Sequence, residues 1–416
     1  MEYFYNDQKS QRVLILSVDT GEYDVERSVD ELKELIKTAG GETEGVIIQT
    51  LPTVNPVSYI GSGKLAEAAL FAENTDIDLT VCDCELTPTQ HRVLCDVLKT
   101  DVVDRTTLIL DIFALNARTN EGKLQVELAQ LKYSLPRLSG KGTSMSRLGG
   151  GIGTRGPGET KLETDKRHVR RRIHTLEEEL SALEIRRRRR RDRRKKDGIT
   201  TAALVGYTNA GKSTLLNALT DSDVLAENKL FATLDPTSRA LKLPDGREIM
   251  LVDTVGFISR LPHFLVDAFK STLEEATDAD LLIVLCDASD PECEDKLQIT
   301  LDVLKELCTE EKPILTVYNK CDVNNNFLSF PEKNTVRISA KKGFGLDALT
   351  ECICTALPER TKRVRLLIPY TDGSLSALVR NKGRLFKEEY REDGIYIEAE
   401  LGLEELKKVI DYVIKD

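Results

Sequence analysis

The chain has 416 residues, 40% hydrophobic, 31% charged and 5% aromatic, which allows two to four domains with real cores and excludes collagen-like and wholly disordered classes. Its longest tight apolar run, Leu281 to Cys286, falls far short of the roughly 18 residues that span a bilayer, and Met1 to Tyr5 does not begin a secretory signal, so a cytoplasmic protein with no stable membrane association is expected. The net charge of −10 argues against a nucleic-acid partner, but it is an average: residues 132–197 hold 21 Lys and Arg against 9 Asp and Glu, a +12 segment on a −22 remainder.

The nine cysteines are scattered without a Cys-x-x-Cys, and the histidines at 91, 168, 174 and 263 have no metal-ligand spacing to them. Reduced thiols are expected, not a disulfide framework or a zinc site.

Residues 1–118 read as a small α/β domain. Apolar runs Val13 to Val18, Gly45 to Gln49, Leu79 to Cys82 and Asp101 to Asp104 alternate with helical patterns Ser28 to Ala39, Lys64 to Ala72 and Thr87 to Leu98, the rhythm of a parallel sheet with crossover helices. Gly61-Ser62-Gly63-Lys64 sits at a helix start; a tight turn explains it, and phosphate binding is the less economical alternative.

Residues 119–197 change period. Leu124, Leu128, Leu131 and Leu135 form one helical stripe, and Leu162, Val169, Ile173, Leu176, Leu180 and Leu183 form another, so two helices can bury their stripes in an antiparallel hairpin. The second arm runs on into residues 186–196, ten of which are Lys or Arg. The loop 136–158 holds eight glycines with Lys141, Arg147 and Arg155, far more than a helix connection of roughly 2–8 residues needs. With Tyr133 as its single aromatic, the hairpin suits phosphate and shape recognition of RNA, through Lys141, Arg147, Arg155, Arg186, Arg187, Arg190 and Arg194. A solvated helix end, or a hold on an anionic membrane, is the competing use of the basic run.

Residues 198–360 carry the chemistry. After the strand pattern Thr200 to Val205 comes Gly206-Tyr207-Thr208-Asn209-Ala210-Gly211-Lys212-Ser213, followed by helical Thr214 to Leu219. In that context G-x-x-x-x-G-K-[ST] is a phosphate-binding loop: backbone N–H groups of Gly206 to Thr214 surround phosphates, Lys212 reaches the terminal ones and the Ser213 hydroxyl ligates Mg²⁺. Leu241 to Leu243 and Glu248 to Val252 flank a Pro-Asp-Gly turn, and the second strand ends in Asp253-Thr254-Val255-Gly256, placing a carboxylate for Mg²⁺ through water and an N–H for the γ-phosphate. The buried run Leu281 to Cys286 follows, and Ile314 to Tyr318 leads to Asn319-Lys320-Cys321-Asp322. Asp322 can accept both the N1–H and the exocyclic amine of guanine, a donor pair adenine lacks, so the nucleotide is GTP. Val336 to Ile338 then delivers Ser339-Ala340-Lys341 to the base.

Residues 361–416 read as a small α+β unit: strand Val364 to Ile368, helix Ser374 to Lys382, strands Arg384 to Tyr390 and Gly394 to Glu400, helix Leu403 to Ile414. They carry no recognisable chemistry.

The four motifs resemble, in order and spacing, those of the Ras-like GTPases. That resemblance implies a switch threonine within Phe231-Ala232-Thr233-Leu234-Asp235-Pro236-Thr237, with Thr233 chosen ahead of Thr237 to cap Mg²⁺ and Phe231 and Ala232 beside the nucleotide. Lys212, Thr233 and Gly256 are then the catalytic set, with Phe257 where Ras places its water-orienting glutamine, so intrinsic hydrolysis should be slow and partner-gated. Arg239 and Arg260 lie nearby without a clear role as a finger. With Pro56-Val57-Ser58-Tyr59-Ile60-Gly61-Ser62-Gly63-Lys64 and Gly149-Gly150-Gly151-Ile152-Gly153-Thr154-Arg155-Gly156-Pro157-Gly158-Glu159-Thr160-Lys161, the whole sequence resembles an HflX-type GTPase over about residues 10–360. The resemblance implies a monomeric GTP hydrolase that binds the large ribosomal subunit and its rRNA and splits stalled or idle ribosomes. A non-ribosomal RNA- or membrane-binding GTPase, and an ATP-dependent RNA remodeller working through the N-terminal domain, are the competing readings.

Overall fold

The computed structural model describes residues 10–139, 161–196, 198–220, 230–231, 236–258, 260, 275–307, 312–323, 334–357 and 361–414. Among them no helix is long and apolar enough to cross a membrane.

The first unit is a four-stranded parallel sheet in the order β2-β1-β3-β4, with β1 Gln11–Asp19, β2 Gly41–Thr50, β3 Leu79–Cys82 and β4 Asp101–Asp104. Its crossovers are α1 (Val25–Thr38), α2 (Ser62–Asn74) and α3 (Pro88–Leu98). Asp24 caps α1 by accepting from the Glu26 and Arg27 N–H groups, and Thr87 with Gln90 forms a reciprocal capping box on α3. The Gly61 turn is structural: its N–H donates to Gln49 Oε1 at 2.8 Å, and Lys64 pairs with Glu67.

A further helix, α4 (Arg105–Asn116), has no counterpart in the sequence reading. Asp104 caps it through the Thr107 N–H at 2.9 Å. Leu108, Ile109, Leu110, Ile112 and Phe113 are all buried, and the exposed side holds Ala114 and Leu115 as well as Asp111, so the polar stripe that gives an amphipathic helix its period is weak.

The hairpin follows, with α5 (Asn120–Ser134) and the 36-residue α6 (Lys161–Lys196), about 54 Å long at 1.5 Å per residue. Glu121 meets Arg187 and Lys132 meets Glu177, so one helix ascends as the other descends, as antiparallel helices do, and the long Arg172 side chain also reaches Glu127. Leu176 is fully buried in the seam. Lys141, Arg147 and Arg155 lie outside the described residues.

The central unit is a six-stranded sheet, β10-β9-β8-β5-β7-β6, parallel except for the antiparallel β6–β7 pair. Its strands are β5 Thr200–Gly206, β6 Thr237–Lys242, β7 Glu248–Asp253, β8 Leu281–Asp287, β9 Ile314–Asn319 and β10 Thr335–Arg337. One face packs on α7 (Lys212–Thr220) and α9 (Leu346–Ala356), the other on α8 (Cys293–Leu307). β6 begins four residues before the expected Leu241, because Thr237 to Ala240 pair along β7.

The last unit is an antiparallel sheet, β11-β13-β12, of β11 Thr361–Ile368, β12 Arg384–Arg391 and β13 Gly394–Gly402, covered by α10 (Gly373–Lys382) and α11 (Leu403–Val409). α11 ends earlier than the expected Ile414: residues 410–412 tighten into a 3₁₀ turn and Val413 bridges back to Leu366.

Candidate functional site: a GTP pocket roofed by the N-terminal unit

β5 runs straight into the phosphate-binding loop, which turns sharply into α7. Gly206, at φ +151°, passes so close to β8 that a Cβ would overlap the Leu285 carbonyl, and a Cβ at Gly211 would overlap the Asn319 amide. Asn209 holds a left-handed φ of +61° between them. Lys212 is 7% exposed, and its ammonium donates to the Gly206 and Tyr207 carbonyls at 3.1 and 2.9 Å. The Ser213 hydroxyl donates to Asp253 Oδ2 at 2.6 Å, and Thr214 is half-buried in the first turn of α7. Gly256 lies against Thr208 and the Lys212 ammonium, with no room for a Cβ.

Burial lowers the Lys212 pKa from the usual 10.5 to about 8, with Asp253 opposing the shift. A bound phosphate restores the charged form. Above pH ~8, nucleotide binding must therefore take up a proton, and affinity should fall as pH rises through that value; below it, binding should be proton-neutral at this group. Calorimetry of GDP binding in two buffers of different ionisation enthalpy, at pH 7 and pH 9, measures this directly; equal enthalpies at pH 9 would contradict it.

The base-recognition end is assembled from three strand ends. Asn319 donates to the Ala210 carbonyl at 2.9 Å and accepts from the Ala340 N–H at 3.0 Å, tying loop, β9 and the Ser339-Ala340-Lys341 turn together. Lys320 adopts φ +61° and reaches Asp287 at 2.7 Å. Asp322 accepts from the Ser339 hydroxyl at 2.6 Å and faces Lys342 at 3.3 Å; the Ser339 hydrogen bond holds its carboxyl below the usual range. Ser339 and Ala340 are buried, whereas Lys341 is exposed.

Several residues expected on the nucleotide send their side chains elsewhere. Tyr207, Phe231 and Val255, joined by Ile258, for which no site role was expected, enter the core of the N-terminal unit, where the Phe231 ring meets Phe113 edge to face at 4.7 Å. Asn116 donates to the Phe231 carbonyl at 2.8 Å, and the Tyr207 hydroxyl pairs with Glu31. Thr254 is fully buried and donates to the Leu204 carbonyl at 2.7 Å. What these positions keep for a nucleotide is backbone. Ala232 and Thr233 lie outside the described residues, while Thr237 pairs with Asp253 in the sheet.

Phe257 is 2% exposed and packs with Ala203, Val205, Ala276 and Leu304 beneath β5 and β8. Its backbone makes both hydrogen bonds to the loop: Thr208 N–H to the Phe257 carbonyl at 2.7 Å, and Phe257 N–H to the Gly206 carbonyl at 3.1 Å. The ring anchors the start of the second switch in this core.

Arg260, with its left-handed φ of +54°, is captured by the N-terminal unit. It donates to Ser28 Oγ at 2.7 Å and Asp83 Oδ2 at 3.2 Å, lies 3.1 Å from Cys84 Sγ, and stacks 3.8 Å above the Tyr23 ring. Asp83, fully buried, also binds Arg105 at 2.9 Å, and Arg105 pairs with Glu31. This network follows from no sequence motif. A cavity of about 630 Å³ is lined by α1 on one side and by Tyr207 to Ala210, Asp287 and Lys296 on the other, so the N-terminal unit roofs the phosphate-loop side of the site.

The basic run also has internal partners. Arg187 pairs with Glu121, Arg191 with Asp278 and Arg194 with Glu275, so the face expected to meet RNA is in part a clasp between α6 and its neighbours. Arg186 and Arg190 are exposed.

A phosphate loop after β5, an Asp-x-x-Gly after β7 and an Asn-Lys-x-Asp after β9, on this six-stranded sheet, define a Ras-like P-loop GTPase, a GTP hydrolase that binds GTP and GDP. Three family models match in succession: the GTP-binding GTPase N-terminal region at 26–114, the GTP-binding GTPase middle region at 116–194, and the 50S ribosome-binding GTPase at 201–320. The chain belongs to the GTPase HflX family. It is 50% identical over 404 residues to GTPase HflX of Caldanaerobacter subterraneus subsp. tengcongensis, covering 97% of this chain and 94% of that protein. It is 40% identical over 394 residues to GTPase HflX of Escherichia coli K12, covering 93% and 92%. Among solved structures, a GDP complex of a GTP-binding protein from Sulfolobus solfataricus is 28% identical, covers 83% of this chain and 98% of that one, and superposes with a TM-score of 0.46.

Proposed function

We propose that this GTPase binds the large ribosomal subunit and its rRNA in its GTP form, splits stalled or idle ribosomes under stress, and is released by hydrolysis. The observation that carries the reading is the placement of the hairpin: a basic arm about 54 Å long is clasped at its root to Glu275 and Asp278 of the GTPase unit, downstream of the second switch in the chain. A polyanion gripped along that arm can bias the switch, and the nucleotide can bias the grip.

In the same reading the Ser213 hydroxyl would ligate Mg²⁺ and the Asp253 carboxylate, which accepts a hydrogen bond from that hydroxyl at 2.6 Å, would hold the ion through water. The ion would neutralise charge on the β- and γ-phosphates; Lys212 supplies the second positive charge, and the Gly256 N–H orients the γ-phosphate. With Phe257 committed to the core, the water-positioning group comes from the partner or from a rearranged switch.

GTP turnover measured with and without purified large subunits, at several salt concentrations, tests the proposal. A large stimulation that falls with salt supports it; unchanged turnover would withdraw the ribosome and leave another polyanion for the hairpin. Shortening the loop 136–158 should leave intrinsic turnover unaltered and reduce the ribosome response, and a full response would remove the loop from the mechanism.

A further inference from the structure

The phosphate-binding loop holds a buried hydroxyl that the fold leaves without a partner. Thr208 is 6% exposed, and its Oγ1 makes no hydrogen bond among the described residues. The hydroxyls of Ser213, Tyr207, Thr254 and Ser339, in the same site, all have one. A buried hydroxyl left unsatisfied is destabilising, and valine would fill the same shape without that cost. Packing of the loop therefore does not account for a threonine here.

Thr208 stands where two other groups of the site converge. Its N–H donates to the Phe257 carbonyl at 2.7 Å, at the start of the second switch. A Cβ on Gly256 would lie 2.8 Å from both Cα and Cγ2 of Thr208 and 3.0 Å from Lys212 Nζ, so the threonine side chain, the Gly256 backbone and the ammonium are immediate neighbours. Lys212 and the Gly256 N–H are the groups that meet the γ-phosphate, which puts Thr208 at the reacting end of GTP. With two heavy atoms on Cβ, threonine has few χ1 states, and the methyl lying against Gly256 fixes where the hydroxyl can be. Thr208 also borders the cavity of about 630 Å³ beneath α1, which has room for a water molecule beside it.

We propose that Thr208 is a catalytic residue of the unstimulated reaction: its hydroxyl accepts a hydrogen bond from the attacking water and donates one to a γ-phosphate oxygen. The water oxygen bonds to the γ-phosphorus as the bond to the β–γ bridging oxygen breaks; GDP leaves with that electron pair, and one water proton passes to a γ-phosphate oxygen to give inorganic phosphate. A threonine hydroxyl is far too weak a base to take the proton, so its part is orientation. Phe257, with its ring in the core, leaves that part to another residue. A group from the partner or from a rearranged switch sets the stimulated rate, and Thr208 serves the slow hydrolysis that precedes it. This role belongs to GTP hydrolysis itself and is independent of the ribosome reading.

The experiment is single-turnover hydrolysis, with the full-length chain in excess over GTP, Mg²⁺ present and no ribosomes added, measured beside the affinities for GDP and for a non-hydrolysable GTP analogue. T208V keeps the shape and removes the hydroxyl; it should slow hydrolysis about tenfold or more, the loss of a hydrogen bond to a charged group, while both affinities and the melting temperature stay as they are. T208S restores the hydroxyl and should recover most of the rate. Wild-type hydrolysis by T208V would reduce the hydroxyl to the holder of a trapped water and overturn the proposal. So would a T208S rate as low as that of T208V, or a loss in T208V matched by an equal loss of analogue affinity, since Thr208 would then act in packing or in ground-state binding.

Discussion

Asp83→Ala is expected to lower the unfolding free energy by about 3–5 kcal/mol, the cost of stripping a partner from a buried charge. Asp83 is fully buried and gathers four donors: Arg105 at 2.9 Å, Ser28 at 2.7 Å, Ser17 at 3.2 Å and Arg260 at 3.2 Å. Without the carboxylate, Arg105, whose side chain is 4% exposed, keeps Glu31 and the longer bonds to Ser28 but loses its second carboxylate. Arg260→Ala should cost less, because that guanidinium is 31% exposed and can be hydrated once released. Urea denaturation of the three proteins measures the difference; a loss below about 1 kcal/mol for Asp83→Ala would show that Glu31 alone satisfies Arg105.

Asp322→Asn should reduce GTP affinity about a hundredfold or more, since a site built to accept two hydrogen bonds from the base rejects strongly when one becomes a donor–donor clash. The Ser339 hydroxyl and Lys342 keep the wild-type carboxylate ionised and aimed. Competition binding of GTP and ATP analogues reads the change, and undiminished guanine selectivity would assign base recognition to another residue.

Strands β3 and β4 were legible to the residue, because short β-branched runs between turn signals leave few alternatives. The helix α4 was not: its exposed side carries Ala114 and Leu115 beside Asp111, so apolar residues stand on both faces and the run from Leu108 to Leu115 offered apolarity with little period. The GTPase motifs fixed where the backbone of Tyr207, Phe231 and Val255 runs. They could not say that the side chains turn outward, since that depends on α1 and α4, separated from them by about a hundred or more residues of chain. The basic run misled in a related way. Its charge announced a polyanion, but the seam spacing also placed Arg187 and Arg194 opposite Glu121 and Glu275, an arrangement visible only once the neighbouring elements are in place.

The shared core of Tyr207, Phe231, Val255 and Ile258 with Phe113, Ile109 and Leu35 makes the N-terminal unit, with α4, a thermodynamic partner of the pocket. Nucleotide that binds only the folded site adds its binding free energy to every opening that breaks this core. The amides of α4 should therefore exchange with deuterium more slowly when GDP is present, although none of them touches it, while those of the C-terminal sheet, which has its own core, should exchange at an unaltered rate.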